Sequence, residues 1–268
     1  MIDINTTLRL VALVSGIHAI YSALELLSVR ERYGPGGLLE WEPSRLFLTN
    51  LPGLSLIEPV LSRYTYVLVV RLLLGPALIA TVLLEATSLI LPLVGLLAIT
   101  DIFTMFRHSG GLSGAFHMSL VVNTGLTIAL AAPSDSTLEF AAIVFIAVQG
   151  LLGYFISGLA KVLGPDWRSG NAVNEIISTN TWGHPWMYEK VRQFPRLSVH
   201  ATRAVVVFEF VFPIILFFSA PAIYVMFALA IAMHISISLM MGVNGFLTSF
   251  TATYPAILYV SQLFPNVL

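Results

Sequence analysis

Apolar stretches of about twenty residues recur along nearly the whole chain, separated by short polar interruptions. That length is what a helix needs to cross the hydrocarbon core of a bilayer. Eight such stretches are read, at 7–28, 64–84, 87–106, 115–132, 139–161, 202–219, 221–242 and 247–264. They predict an all-α integral membrane protein, a single bundle of about eight transmembrane helices in one domain over 1–268. The last loops are very short, which makes the last helices antiparallel neighbours. Two longer polar segments, 30–63 and 162–201, both follow odd-numbered spans and are expected on one face. Within the first, LSLIEPVLSRY is too short and interrupted to span, and is expected to lie at the interface.

Polar residues inside the apolar stretches are arranged rather than scattered. Ser15, His18, Ser22 and Glu25 are spaced by three, four and three, forming a stripe on one face of span one. Lipid cannot satisfy such groups, so the stripe must face protein or a wet cavity. Arg71 lies about two turns inside span two and needs a carboxylate, with Glu25, Glu85, Asp101 and Glu209 as candidates. Asp101, Thr104 and His108 share one side of span three, beside Arg107. Span four opens with His117 and carries Asn123. Glu209 stands four residues before Pro213 in span six. His234, Ser238, Met241 and Gly245 share one face at span seven. Each alone has a bland reading, such as a buried pair that fixes helix register. Together they imply a wet or reactive interior.

Composition narrows the class. Of 268 residues, 57% are hydrophobic and 10% charged, where soluble domains carry about 25% charged residues. Mean hydropathy is +0.89. A net charge of −1 argues against a nucleic-acid partner. The absence of cysteine removes thiol catalysis, disulfides and thiolate metal sites. HExxH, P-loop, GxGxxG and GxSxG patterns are absent, so neither metal nor nucleotide chemistry is expected. Most arginines and both lysines fall on the face carrying Lys161, and the positive-inside rule would make that face cytoplasmic.

The stretch GLLGYFISGLAKVLGPDWRSG, Gly150 to Gly170, joins an apolar helix to a polar cluster. Gly150, Tyr154, Gly158 and Lys161 share one helical face, so another backbone can approach and the ammonium sits where hydrocarbon ends. Lys161 beside Trp167 reads in two ways. It is a snorkelling anchor at the interface, or a base in a half-dry site. The second requires that Lys161 be largely buried and not forked onto Asp166.

Three stretches carry a resemblance. GYFISGLAKVLGPDWRSGNAV resembles the span-five motif of the horizontally transferred transmembrane domain family, the vitamin K-dependent gamma-carboxylase-like membrane proteins. The motif, Tyr-Phe-x-x-Gly-x-x-Lys followed by Asp/Ser-Trp, falls on Tyr154, Phe155, Gly158, Lys161, Asp166 and Trp167. HISISLMMGVNGFLTSFTATYP is similar to the family's penultimate loop, at His234, Met241, Gly242, Asn244 and Phe246. FRHSGGLSGAFHMSLVV resembles the arginine-containing loop before span four. Ala160 departs from the family pattern, which has a second lysine there. The resemblance implies a membrane-embedded enzyme in which Lys161 is the general base on a quinol-like lipid or a peptide. It implies catalytic roles for His117, His234, Glu209 and Tyr154, and cofactor contacts at Trp167, Asn244 and Phe246. A reduced quinone with O2 and CO2 would be required if carboxylase chemistry is retained. It also implies an extracytoplasmic charged face in the cell membrane, against the arginine count. A peptide substrate and a partner protein are the implied partners besides the bilayer. Two other readings stay open: a non-catalytic maturation or chaperone partner for a secreted hydrophobic peptide or toxin, and a transporter using the His18–Glu25 stripe.

Overall fold

The computed structural model describes residues 2–108 and 113–264, and Ser109–Leu112 of the loop before span four lie outside them. The chain runs through α1 (Ile4–Ser28), α2 (Trp41–Arg45), α3 (Leu54–Ser62), α4 (Tyr64–Leu83), α5 (Ile90–Arg107), α6 (Gly114–Ala131) and α7 (Thr137–Leu163). It continues through α8 (Pro165–Ser169), α9 (Ala172–Ser178), α10 (Pro185–Val191), α11 (Pro195–Val211), α12 (Ala220–Met241), α13 (Gly245–Thr251) and α14 (Tyr254–Ser261). Among the described residues, seven helical stretches are long and apolar enough to cross a bilayer: α1, α4, α5, α6, α7, α11 with its 3-10 extension to Phe217, and α12. The protein is an all-α, multi-pass membrane protein.

The eighth expected span differs. Residues 247–264 do not form one long helix; α13 and α14 divide the segment. Pro255 is the reason, because proline has no N–H and its ring collides with the carbonyl four residues back, here Thr251, where α13 ends. Pro213 acts the same way on α11, which tightens into a 3-10 stretch over Phe212–Phe217. Span six also starts earlier than 202. Pro195, with its φ fixed for a first helical turn, opens α11 inside the expected polar segment.

α1 packs chiefly along α4, and contacts then pass in sequence from α4 through α5 and α6 to α7. α7 packs against both α11 and α14, while α13 fits against α1 and α6. The broken segment therefore sits inside the bundle, with Ala252, Thr253, Ala256 and Ile257 fully buried. The termini of this packing meet: Ile2 donates its amide to Gln262 Oε1 at 2.9 Å, and Gln262 Nε2 donates to the Ile2 carbonyl at 3.0 Å. α11 and α12 are the least enclosed of the long helices.

The segment between α1 and α4 folds over α5. Trp41, Leu48 and Leu61 form a small core with Phe103 and Phe106. α3 has nine residues, far too few to span, and buries Leu61 while Leu56 stays exposed. Beyond α7, the short helices α8 and α9 pack against the start of α11.

Candidate functional site

Two polar clusters lie along the glycine-lined face of α7. The outer one forms at Lys161. Its Nζ donates to Glu209 Oε2 at 2.5 Å and to Ser157 Oγ at 2.6 Å, and lies 5.0 Å from the centre of the Trp167 ring. The lysine side chain is 17% exposed and the glutamate 7%. Lys161 is therefore neither in bulk water nor forked onto Asp166. Gly158 makes the pairing possible, since a Cβ there would overlap the backbone of Phe210. Glu209, next to Phe210, is brought against α7 by that close approach.

The inner cluster sits two turns deeper, roughly 10 Å along α7. Tyr154 Oη lies 2.7 Å from His234 Nε2 and 2.7 Å from Tyr254 Oη. His234 Nδ1 is buried without a partner among the described residues. An orphaned lone pair is tolerated better than an orphaned N–H. This favours the tautomer in which His234 donates Nε2–H to Tyr154, whose hydroxyl then donates to Tyr254. Aromatic rings close the cluster: Phe212 at 3.9 Å and Phe250 at 5.2 Å from Tyr154, with Phe246 stacked on His234 at 6.4 Å.

The four residues expected to share one cavity thus fall into two hydrogen-bonded pairs, Lys161–Glu209 and Tyr154–His234, on the same helix face. His117 belongs to neither; it is exposed on the first turn of α6, with Nδ1 3.3 Å from the Ser113 carbonyl. Asn244 donates to Glu25 Oε1 at 3.1 Å and accepts from Ser238. Trp167 stays with Lys161 and Phe246 with His234.

A third, fully buried network holds α1, α4, α5 and α6 together. Arg71 pairs with Asp101 at 2.5 Å and donates to Ser22 and Thr100. Asp101 also accepts from Asn123 at 2.6 Å and from Ser119. His18 of the same stripe meets Thr248 at 2.7 Å. A fourth cluster caps α5: Arg107 lies 5.2 Å from the Tyr33 ring and 5.6 Å from the Trp41 ring, bonded to Ser44 and to the Leu39 carbonyl. Beside it, His108 Nδ1 lies 2.9 Å from the Thr104 carbonyl and Nε2 2.8 Å from Tyr33 Oη. A carbonyl only accepts, so Nδ1 carries the proton and Nε2 accepts from Tyr33. Burial holds His108 below the usual histidine range and Tyr33 above the usual tyrosine range.

The sequence reading missed Tyr254, Ser157, Tyr33 and Trp41 in these clusters. Hydropathy counts tyrosine and tryptophan as apolar, so their polar atoms leave no signal.

Fold and site together define a polytopic helical protein with a paired, half-buried lysine at one end of its bundle. Comparison with protein-family models, with curated proteins and with solved structures gave no match for this chain.

Proposed function

We propose that the protein is a membrane-embedded proton-transfer enzyme in which Lys161 is the general base, acting on a quinol-like lipid or a membrane-associated peptide. The observation that supports this reading is the Lys161–Glu209 pair, 2.5 Å apart and mostly withdrawn from water. A snorkelling anchor would keep its ammonium in water. Passing a proton from Lys161 to Glu209 leaves the charge of the pair unchanged. The amine can then take a proton from a substrate hydroxyl or acidic C–H without exporting one to bulk water. Trp167, its ring centre 5.0 Å from the amine, offers a flat apolar wall there. Such a wall suits a planar ring in van der Waals contact. The inner Tyr154–His234–Tyr254 chain orients the shared α7 face and holds a second set of protons behind it. In this reading the family resemblance supplies the class of chemistry, and the charged face lies outside the cell membrane.

The test is Lys161→Arg, which keeps the charge and the ion pair but removes a group that can be deprotonated. In membranes supplied with a reduced naphthoquinone, O2 and CO2, the wild type should consume quinol. Lys161→Arg should lose at least a hundredfold, the lower range for a positioned acid–base group, with its melting temperature unchanged. Equal consumption by both proteins would end the base hypothesis. A second reading, a maturation partner that holds a hydrophobic peptide, draws on the poorly enclosed α11–α12 pair. It expects peptide retention in both proteins and no turnover in either.

A further inference from the structure

Away from both α7 clusters, a pocket of about 170 Å3 opens between α9, α10 and the first turn of α11. Asn171, Asn174, Tyr188, Arg192 and Ser198 line it, so nearly every polar group facing it can donate a hydrogen bond. The pocket lies at the start of a seventeen-residue helix. Among the described residues the amides of Arg196 and Leu197, in its first turn, make no backbone hydrogen bond, leaving the positive end of the helix dipole unsatisfied. Independently, Ser198 Oγ is buried without a partner among the described residues, in a side chain only 6% exposed. Native proteins seldom leave such a hydroxyl unpaired at the wall of a polar pocket.

Charge agrees with the donors. Residues 185–203 carry Lys190, Arg192, Arg196 and Arg203 against Glu189 alone. Arg192 and Glu189 are 3.3 Å apart, but both are more than half exposed, so this bridge holds the guanidinium weakly. The volume is small beside the several hundred Å3 of whole-ligand sites. It admits a compact polyvalent anion rather than a quinone or a peptide. Exposed Trp182 and Trp186 precede and open α10, and exposed Phe194 and Leu197 flank the start of α11, a composition typical of the headgroup level.

We propose that this pocket binds a phosphate group, with Arg192 as the cationic ligand, the positive end of α11 beside it and Ser198, Asn171 and Asn174 as donors. The phosphate has two sources, a phospholipid headgroup reaching in from the adjacent leaflet or a free phosphate from solution. The site shares no residue with the proposed base and stands whether or not Lys161 is catalytic.

The test uses the full chain, delipidated in detergent. Phosphatidylglycerol is titrated by native mass spectrometry, with diacylglycerol of the same chains as the phosphate-free control. Inorganic phosphate is titrated separately by thermal shift. Wild type should bind phosphatidylglycerol and not diacylglycerol. Arg192→Gln should weaken binding about tenfold, as loss of a charge-assisted bond does, and Ser198→Ala about threefold. Arg30→Gln, an exposed arginine elsewhere, should change nothing. A phosphate-dependent melting shift that Arg192→Gln abolishes, without lipid binding, assigns the site to free phosphate. Three results overturn the proposal: neither probe binds, diacylglycerol binds equally, or both pocket variants bind like wild type. Circular dichroism establishes that the variants are folded; Arg192→Gln removes only the exposed bridge to Glu189, and Ser198 Oγ has no partner among the described residues.

Discussion

Arg71 and Asp101 are each 1% exposed, and their pairing is surrounded by neutral donors and acceptors from four further positions. Removing one member leaves a charge that neither lipid nor protein solvates. Asp101→Ala should therefore lose about 3–5 kcal/mol of unfolding free energy, measured by denaturant unfolding in detergent. The double variant Arg71→Met with Asp101→Leu should recover part of that loss; no recovery would mean the pair itself is not the source. The sequence narrowed Arg71 to four carboxylates, and choosing among them required the register of α5 against α4, which no local pattern encodes. His108 gives a pH prediction. Its folded pKa lies below the unfolded value near 6.5, so the unfolded chain takes up a proton first as pH falls. Stability from this residue is complete above about pH 6.5 and declines below it. The melting temperature should drop between pH 7.5 and 5.5 in wild type and drop less in His108→Gln. Equal slopes would place the acid sensitivity elsewhere.

At the scale of elements, two glycines on α7 read from spacing alone mark true close approaches. Gly150 faces the side chain of Thr253 at the break between α13 and α14, and Gly158 faces the backbone of Phe210. The consequence differs between them, because a backbone cannot rotate out of the way. Gly158→Ala must push α11 from α7 and stretch the Lys161–Glu209 pair one turn further on. It should cost about 1–3 kcal/mol and reduce any Lys161-dependent turnover. Gly95→Ala, whose nearest new contact would be Thr127 Cγ2 at 3.9 Å, should do neither. Comparable melting of the two variants would refute the close-approach argument. Pro213 was legible as a kink because the proline lies in a strongly apolar run. The break at Pro255 was not, because Thr248, Ser249, Thr251 and Thr253 already dilute that run and hydropathy averages over both halves.

The whole molecule tests how the polar segments are distributed. The 30–63 segment covers the C-terminal end of α5, and the helices α8 to α10 follow the C-terminal end of α7. With no native cysteine, Glu31→Cys and Glu175→Cys should react with an impermeant maleimide from one side of the membrane, and Leu84→Cys only from the other. Under the orientation proposed above, the first two react in intact cells; labelling only after permeabilisation would reverse it, and a split between the two would break the one-face arrangement. His117 shows the limit of reading a site from a family likeness. Its position at the head of a helix was legible, but whether that first turn points inward depends on how α6 is rotated against its neighbours. The broken segment has a further consequence, for biogenesis. Until residues 245–261 have been made, α1 holds its Ser15–His18–Ser22 stripe without the Thr248 that His18 meets, and the inner tyrosine chain lacks Tyr254. α1 is thus completed by residues some 230 positions further along the chain, so the nascent chain must shelter an unfinished polar seam until they emerge.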